Sequence, residues 1–337
     1  MEKIQALQIT GVSPFIGAPG GELCIYCRGF VPGRESAVFL GEAEAFILSA
    51  SEDRIRIRLP ESPRSLGLTL VSDGETSPLF PFNLAVKLAS ELHPVANPAV
   101  TPDGEIITTI SGHRGEQVDQ SLIRVTKQGD KIPYSCEIMN PTGLAFSSDR
   151  QLYISCRNDG QVLRYTDFDH LDVVAEDLGI PCGIIFDSKG ALYVGDRTGR
   201  IWKIDASGNK KEFAVLEPSI AAYHMAIDKD DRIYVTGPTF AVRDCLYRVS
   251  PDGKVETILD GLARPQGIAF LPDGDLLISA GYKGKKGLFR YSPENGELKH
   301  YLTASIPVGV AIAGQTLYLA IGDSIYGATL PGNRAVN

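Results

Sequence analysis

A repeating unit of short apolar stretches separated by polar turns extends over the larger, second part of the chain. In residues 181–205, PCGIIFDSKGALYVGDRTGRIWKID, a Pro-x-Gly start leads into an apolar run, and a turn around Gly190 reverses the chain into the alternating LYVGD. A second turn at Thr198-Gly199 opens a third apolar stretch. Alternation with a period of two between glycine and polar turns predicts β-strands. We expect an antiparallel unit completed by a fourth strand over roughly residues 211–216.

This unit recurs six times. The residues just before the first-strand glycine, or its equivalent, are separated by 46, 40, 41, 43 and 42 positions, and they are Ala96, Thr142, Cys182, Tyr223, Gln266 and Val308. The second strands read EIITTI, QLYISC, ALYVGD, RIYVTG, DLLISA and TLYLAI. Periods of about 40 to 50 residues with four strands each are typical of a β-propeller. The sequence therefore predicts six blades over residues 84–337.

The last unit is one strand short, because only three strands fit between Val308 and the last residue, Asn337. The segment AVKLASEL, residues 85–92, resembles the fourth strands of other units, such as KVETILDGL. We expect residues 85–92 to close the ring as the outer strand of the last blade. Closure of this kind removes an open sheet edge.

Residues 1–83 follow a different pattern, without the repeat of about 42 residues. About seven short apolar stretches alternate with turns rich in Gly, Pro, Ser, Glu and Asp, which predicts a β-sandwich. The segment around Pro78 and Pro81 contains no run of Gly and Ser, so we expect a short and stiff joint. The predicted fold class is all-β, a sandwich followed by a six-bladed propeller.

Both parts resemble known families. In the first part, the motifs that resemble the immunoglobulin-like IPT/TIG domain are Ser13-Pro14, Gly17, Gly20-Gly21, Gly29-Phe30 and SASEDRIRIRLP. This resemblance implies an immunoglobulin-like sandwich over residues 1–83 that serves as a spacer or interaction module. In the second part, PTGLAFSSDRQLYIS and RPQGIAFLPDGDLLIS resemble NHL-repeat propellers and the related gluconolactonase/regucalcin (SMP-30-like) superfamily.

Charge and composition limit the classes of partner. The chain has 33 Lys and Arg against 41 Asp and Glu, a net charge of −8, which argues against general nucleic-acid binding. No apolar run of about 18 residues is present to span a membrane. The first residues, MEKIQALQITGVSP, lack a signal-peptide pattern, so the sequence as it stands predicts a cytoplasmic protein, or a secreted or periplasmic one if a leader precedes it. The six cysteines have no framework spacing, and we expect reduced thiols.

The predicted fold brings candidate ligand-binding residues to one mouth of the channel. The first strand of each blade lines the channel, and the second strand runs back antiparallel, so the start of one lies beside the end of the other. The candidate residues from these two sets of positions are Asn97, His113, Thr142, Arg157, Cys182, Asp196, Arg197, Tyr223, His224, Gln266 and Tyr282.

The gluconolactonase resemblance implies a divalent cation held near the strand starts by Glu, Asn and Asp. The matching positions here are Ala96, Thr142, Cys182 and Tyr223, and none is a carboxylate. Calcium takes about six to eight oxygen ligands, typically including carboxylates, so we expect no calcium site and no metal cofactor. Zinc stays an alternative, because His113, His224, Cys156 and Cys182 all fall near the mouth. A zinc-binding peptide-amidating lyase is a related alternative.

The cations near the mouth favour an anionic partner. Arg157, Arg197 and Lys283 would surround an opening whose nearby acid is Asp196. A concave cationic rim favours a carboxylate, a sugar acid or an acidic peptide. The alternative is that the two arginines are turn residues paired with Asp159 and Asp196. We therefore expect a binding or interaction propeller. The alternative is a hydrolase or lyase of the gluconolactonase superfamily that has a modified metal site. No catalytic residue is assigned.

Overall fold

The computed structural model describes residues 6–33, 35–61, 67–110, 118–135, 138–167 and 170–331. Every regular element within these ranges is a β-strand, which confirms the predicted all-β class. Among the same residues, no helix is long and apolar enough to cross a membrane.

The first strands form two small sheets that share one hydrophobic core. Eight strands belong to these sheets: β1 (Gln8–Ser13), β3 (Glu22–Arg28), β4 (Ala37–Leu40), β5 (Ala43–Glu44), β6 (Phe46–Ala50), β7 (Arg54–Arg58), β8 (Leu68–Ser72) and β9 (Glu75–Thr76). Two short strands from the same part of the chain, β2 (Ile16–Gly17) and β10 (Asn83–Leu84), belong to another sheet. One sheet has the order β1-β3-β7-β6 and the other β5-β4-β8-β9. Alternation builds the core: in β7, RIRIR, both isoleucines are fully buried and the three arginines are exposed.

The following strands make up six further sheets, which are numbered 1 to 6 in the chain order of their inner strands. They are β11 (Val86–Ala89), β12 (Ala99–Val100), β13 (Ile106–Thr109), β14 (Leu122–Val125), β15 (Lys131–Ser135), β16 (Pro141–Phe146), β17 (Leu152–Cys156), β18 (Gln161–Asp167), β19 (His170–Ala175), β20 (Pro181–Phe186), β21 (Leu192–Asp196), β22 (Arg200–Ile204), β23 (Lys210–Val215), β24 (His224–Ile227), β25 (Ile233–Thr236), β26 (Asp244–Val249), β27 (Val255–Leu262), β28 (Ile268–Phe270), β29 (Leu276–Tyr282), β30 (Lys285–Tyr291), β31 (Leu298–Thr303), β32 (Gly309–Ala313), β33 (Thr316–Ile321) and β34 (Ser324–Thr329).

Sheets 1 to 4 each consist of four consecutive antiparallel strands, β12–β15, β16–β19, β20–β23 and β24–β27. Sheet 5 contains β28–β31, and sheet 6 contains β32–β34 with β11 paired antiparallel to β34. The first, inner strands contact one another in chain order, and β32 contacts β12, so they form a closed ring.

A glycine near the start of several inner strands permits this close approach. A Cβ added at Gly143 would lie 2.1 Å from the carbonyl oxygen of Cys182 in the next inner strand. A Cβ at Gly309 would lie 2.1 Å from the carbonyl oxygen of Ala96, where the ring closes. The glycine of the repeated Pro-x-Gly motif is thus a packing requirement, since any side chain would force neighbouring inner strands apart.

The N-terminal sheets are joined to sheet 5 by backbone pairing. Strand β2 pairs in parallel with β31, and β10 pairs in parallel with β2, which extends sheet 5 to six strands. The amide of Ala18 donates to the carbonyl of Thr303 at 2.8 Å, and the Thr303 hydroxyl donates to the carbonyl of Glu22 at 2.8 Å. A Cβ at Gly21 would lie 2.6 Å from the Thr303 carbonyl group. Backbone pairing and one side-chain hydrogen bond therefore hold the N-terminal sheets against sheet 5.

Candidate functional site

The mouth is the end of the ring at which the inner strands begin. In sheet 2 the first residue of the inner strand, Pro141, pairs with the last residue of the second strand, Cys156. In sheet 3 Pro181 pairs with Asp196 in the same way. Because these pairs lie at one end of each sheet, the turns that follow β17 and β21 open at the mouth.

A cleft of about 530 Å³ lies at the mouth between sheets 2, 3 and 4. Its lining residues are Asn140, Arg157, Asn158, Gly179, Ile180, Arg197, Thr198 and Ser219. Both arginines predicted at the rim line this one cleft, and no carboxylate is among these lining residues. The cleft is therefore cationic on a protein that carries a net charge of −8.

Arg157 follows β17 and is half-buried. Its Nη2 donates a hydrogen bond to Oδ1 of Asn140 at 3.1 Å. The pKa of its guanidinium lies below the ordinary value, first because burial desolvates the charge and also because the charge of Arg197 repels it. The two guanidinium groups are thus close enough to interact electrostatically.

Arg197 follows β21 at the equivalent position of the next sheet. Its Nε donates to the carbonyl of Ser219 at 3.2 Å, and its amide donates to the carbonyl of Ile180 at 3.0 Å. These contacts fix the backbone and orient the guanidinium, and Arg197 forms no ion pair with a carboxylate in the described ranges. Its two terminal nitrogens have no hydrogen-bond partner among the described residues, so they can donate to a ligand.

Asp196 is committed to the turn beneath the cleft. Only 1% of its surface is exposed. Its Oδ1 accepts hydrogen bonds from the amides of Ile180 at 2.9 Å and Thr198 at 3.0 Å, and its Oδ2 accepts one from the Thr198 hydroxyl. Asp159 accepts from the side chain of Asn158 at 2.9 Å. The carboxylate predicted to neutralise the rim therefore stabilises the turn that carries Arg197.

The centre of the ring holds a second, narrower cavity of about 280 Å³, lined by residues of the inner strands and by Asn97, Tyr223 and His224. His224 starts β24 and is 2% exposed, and its Nε2 has no hydrogen-bond partner among the described residues. Burial lowers the pKa of His224 to about 4, so the imidazole is neutral at pH 7. A buried polar atom of this kind is normally satisfied by water or by a ligand.

Asn97 connects three inner strands across the cavity. Its Nδ2 donates to the carbonyl of Ile268 at 3.0 Å, and its Oδ1 accepts from the amide of Val310 at 3.0 Å. Both ends of the amide are therefore used to hold sheets 5 and 6 against sheet 1.

The other candidate residues are placed in several environments. Thr142 is buried and donates to the Asn140 carbonyl at 3.4 Å. Cys182 is buried with its Sγ 3.3 Å from the Ile180 carbonyl, and burial raises the pKa of its thiol to about 11. The hydroxyl of Tyr223, whose pKa is raised by burial, donates to the Glu217 carbonyl.

Gln266 lies just before β28 and Tyr282 ends β29, so both belong to sheet 5, and neither lines the cleft that contains Arg157 and Arg197. Gln266 accepts a 2.6 Å bond from the Thr236 hydroxyl through its carbonyl. The ring of Tyr282 packs edge-on against Phe289 with centroids 5.9 Å apart. His113 lies outside the described residues.

Asn140 and Ser219 are cleft residues that the sequence analysis missed. Asn140 is 3% exposed and has a positive φ of 52°, a conformation that asparagine tolerates better than most residues. Its signal in the sequence is its position one residue before the Pro-x-Gly motif of sheet 2. Ser219 contributes a backbone carbonyl, for which no residue-type signal exists.

The donors around the channel do not fit a hard divalent cation. The Asn97 amide is committed to backbone groups, and Cys182 is a neutral thiol at pH 7. Burial also raises the pKa of the Cys156 thiol, to about 12. Within the described ranges no three His, Cys, Asp or Glu residues are grouped to hold a metal ion. Zinc would need thiolates or several histidines at one point, and calcium would need carboxylate oxygens.

Several solved structures share the fold at low sequence identity, and no curated protein sequence matches the chain. An auxiliary nutrient binding protein from Bacteroides ovatus is 12% identical with a TM-score of 0.56, over 96% of this chain and 98% of its own. A candidate gluconolactonase is 14% identical with a TM-score of 0.59, over 73% and 92%. Virginiamycin B lyase from Staphylococcus aureus, in complex with quinupristin, is 17% identical with a TM-score of 0.51, over 97% and 99%.

At these identities the likeness concerns the fold alone, which is all-β with a propeller-like ring. The sequence match is confined to one part of the ring. Residues 157–306, which include both arginines of the cleft, are similar to the family described as the SMP-30/Gluconolactonase/LRE-like region.

Proposed function

We propose that the chain combines an immunoglobulin-like sandwich of the IPT/TIG type, residues 1–83, with a six-bladed propeller, residues 84–337. Two sheets sharing one core support the first assignment. The closed ring of inner strands and the pairing of β11 with β34 support the second, with residues 85–92 as the closing segment. In this division the sandwich carries no chemistry, and function belongs to the mouth of the propeller.

The propeller binds an anionic small molecule, of the carboxylate or sugar-acid class, in the cleft that contains Arg157 and Arg197. One observation carries this proposal: two guanidinium groups face one cleft in which none of the described lining residues is an acid. Two like charges held close together repel each other unless an anion lies between them. A guanidinium offers a planar pair of donors that matches a carboxylate.

The other walls of the cleft suit a hydroxylated ligand. The side chains of Asn158 and Thr198 are exposed at its edge. The Asn158 amide can donate or accept hydrogen bonds, and the Thr198 hydroxyl, which donates to Asp196, can accept one. A volume of about 530 Å³ is in the range of small-molecule sites, roughly 300–1,000 Å³. A sugar acid would place its carboxylate between the arginines and its hydroxyl groups against these residues. An acidic peptide, presenting one side chain, is accommodated by the same arginine pair.

A thermal-shift screen tests this proposal. Sugar acids, citrate, phosphate and sulfate are added to the wild type, to Arg157→Ala/Arg197→Ala, and to Lys189→Ala/Lys229→Ala. The control removes two exposed lysines from turns of sheets 3 and 4 and so matches the loss of charge. We expect at least one sugar acid to stabilise the wild type and the control but not the arginine variant. Equal shifts in all three proteins would assign the arginines to the turns alone.

A second candidate function is a hydrolase or lyase reaction in the central cavity. The family match of residues 157–306 supports it, as does His224, which lines that cavity and whose buried Nε2 has no hydrogen-bond partner in the described part of the chain. A neutral imidazole can accept a proton or a hydrogen bond from a bound substrate. Elemental analysis of the purified protein, with turnover assays on sugar lactones by wild type and His224→Gln, separates the two functions. Turnover that His224→Gln abolishes would favour the enzyme.

A further inference from the structure

A second cationic surface lies between the N-terminal sheets and sheet 5, and its residues are remote in sequence from Arg157 and Arg197. The first wall is β7, in which Ile55 and Ile57 are buried in the core. Alternation therefore directs Arg54, Arg56 and Arg58 to the opposite, exposed face, about 7 Å apart along the strand.

The second wall is the hairpin between β29 and β30. Its turn, Lys283-Gly284, has both residues at positive φ, 46° and 77°, which reverses the chain within two residues. Lys283, Lys285 and Lys286 are all exposed on this hairpin. The three arginines and three lysines line one cleft of about 760 Å³, which we name the arginine–lysine cleft.

The two walls are held in place by the joint described above. Strand β3 pairs with β7, opposing Glu22 to Arg58, and the carbonyl of Glu22 is bonded to the Thr303 hydroxyl on the ring. Thr303 also pairs with Gly287 of the lysine hairpin. The cations are therefore carried by strands that backbone and side-chain hydrogen bonds connect, and they cannot separate freely to relieve their repulsion.

The cleft is poorly neutralised by the protein. Glu22 is the one carboxylate among its described lining residues, and it pairs with Arg56 at 2.7 Å. Arg54, Arg58 and the three lysines form no ion pair with a carboxylate in the described part of the chain. The chain has more acids than bases, 41 against 33, so an excess of carboxylates is present but is placed elsewhere.

We propose that the arginine–lysine cleft binds a compact, multiply charged phosphate compound. Five unneutralised cations exceed what a single carboxylate can offset, whereas a chain of phosphates or a phosphorylated small molecule carries several charges within a few ångströms. The volume is in the range for small molecules. The net charge of −8 over the whole chain repels an extended polyanion such as nucleic acid, while a compact one meets only the local field.

The exposed ring of Tyr26 distinguishes two sources of this phosphate chemistry. Tyr26 lies opposite Arg54 on β3, lines the cleft and is 45% exposed. A nucleotide could stack its base on this ring, whereas an inorganic polyphosphate could not. Tripolyphosphate and ATP are therefore the two probes, and Tyr26→Ala is the variant that separates them.

The test is isothermal titration of tripolyphosphate into the full chain and into one double variant for each wall, Arg54→Gln/Arg58→Gln and Lys285→Gln/Lys286→Gln. Each charge-assisted hydrogen bond contributes enough for a roughly tenfold change in Kd, so we expect each double variant to weaken binding at least about tenfold. Lys189→Gln/Lys229→Gln, with the same loss of charge, should bind as the wild type does. Higher salt should weaken binding.

Several results would overturn the proposal. They are the absence of saturable tripolyphosphate binding to the folded wild type, equal binding by all double variants, and tight binding of an oligonucleotide where tripolyphosphate does not bind. Circular dichroism shows whether each double variant folds. If the variant of one wall does not fold, the variant of the other wall tests whether the cleft binds tripolyphosphate. A stronger effect of Tyr26→Ala on ATP than on tripolyphosphate assigns the nucleotide source, and equal small effects assign the inorganic one. Loss of anion binding at Arg157 and Arg197 would leave this proposal unaffected.

Discussion

His224 illustrates how one residue reports on its surroundings. The imidazole is buried at the start of an inner strand, and burial lowers its pKa from 6.5 to about 4. The repeat pattern predicts a position near the mouth for His224, but the sequence holds no signal for its charge state, because desolvation depends on packing from other sheets. The same holds for Asn97. The repeat pattern predicts its position near the mouth, but its hydrogen bonds to Ile268 and Val310 join residues more than 170 positions apart in the chain, so the sequence holds no signal for them.

The lowered pKa predicts a specific acid sensitivity. Below about pH 6.5 the unfolded chain takes up a proton at this residue and the folded chain does not, so stability falls as the pH drops from about 6.5 to about 4. The shift corresponds to about 3 kcal/mol in the free energy of unfolding. Denaturant unfolding from pH 7 to pH 4 should show that loss in the wild type and a smaller loss in His224→Gln. The control is His170→Gln, which removes an exposed histidine of β19 and should lose as much stability as the wild type. Parallel curves for all three would contradict the assignment.

At the scale of the element, the second strands connect neighbouring sheets through a hydroxyl group. Ser155 accepts from the Gly143 amide at 2.7 Å and donates to the Cys182 carbonyl of the next sheet. Thr236 and Ser279 donate in the same way to the carbonyls of Gln266 and Pro307 at 2.6 Å. The repeat predicts the strands, and the three hydroxyl groups belong to the sequence pairs SC, TG and SA near the ends of the second strands. The partner carbonyls could not be predicted, because they belong to the adjacent repeat.

Removal of one such hydroxyl should be costly. Ser155→Ala leaves a buried amide and a buried carbonyl without that partner, so we expect a loss of about 1–3 kcal/mol in the free energy of unfolding. Ser207→Ala, in an exposed turn, provides the control and should change stability by less than about 0.5 kcal/mol. Equal stability of the two variants in urea would show that the hydroxyl bond makes no net contribution.

At the scale of the whole molecule, the positions of the charged residues could not be inferred from the net charge. The sequence carries a net charge of −8, yet two clefts are lined by cations with few carboxylates, one between sheets 2, 3 and 4 and one beside sheet 5. The first could be predicted because Arg157 and Arg197 occupy equivalent repeat positions. The second could not, although RIRIR is a plain alternating pattern, because contacts between distant segments, such as the pairing of β2 with β31, bring the lysine hairpin beside it. A two-residue parallel strand leaves no periodic signal in a sequence.

Anion binding between Arg157 and Arg197 is tested most directly by calorimetric titration of sugar acids such as gluconate and galacturonate in the presence of a metal chelator. We expect saturable, metal-independent binding of at least one of them to the wild type. Arg197→Ala should weaken it by roughly 1.5–3 kcal/mol, the range for a charge-assisted hydrogen bond, while Lys189→Ala/Lys229→Ala binds as before. Binding that the chelator abolishes, or that Arg157→Ala/Arg197→Ala leaves unchanged, would contradict the account.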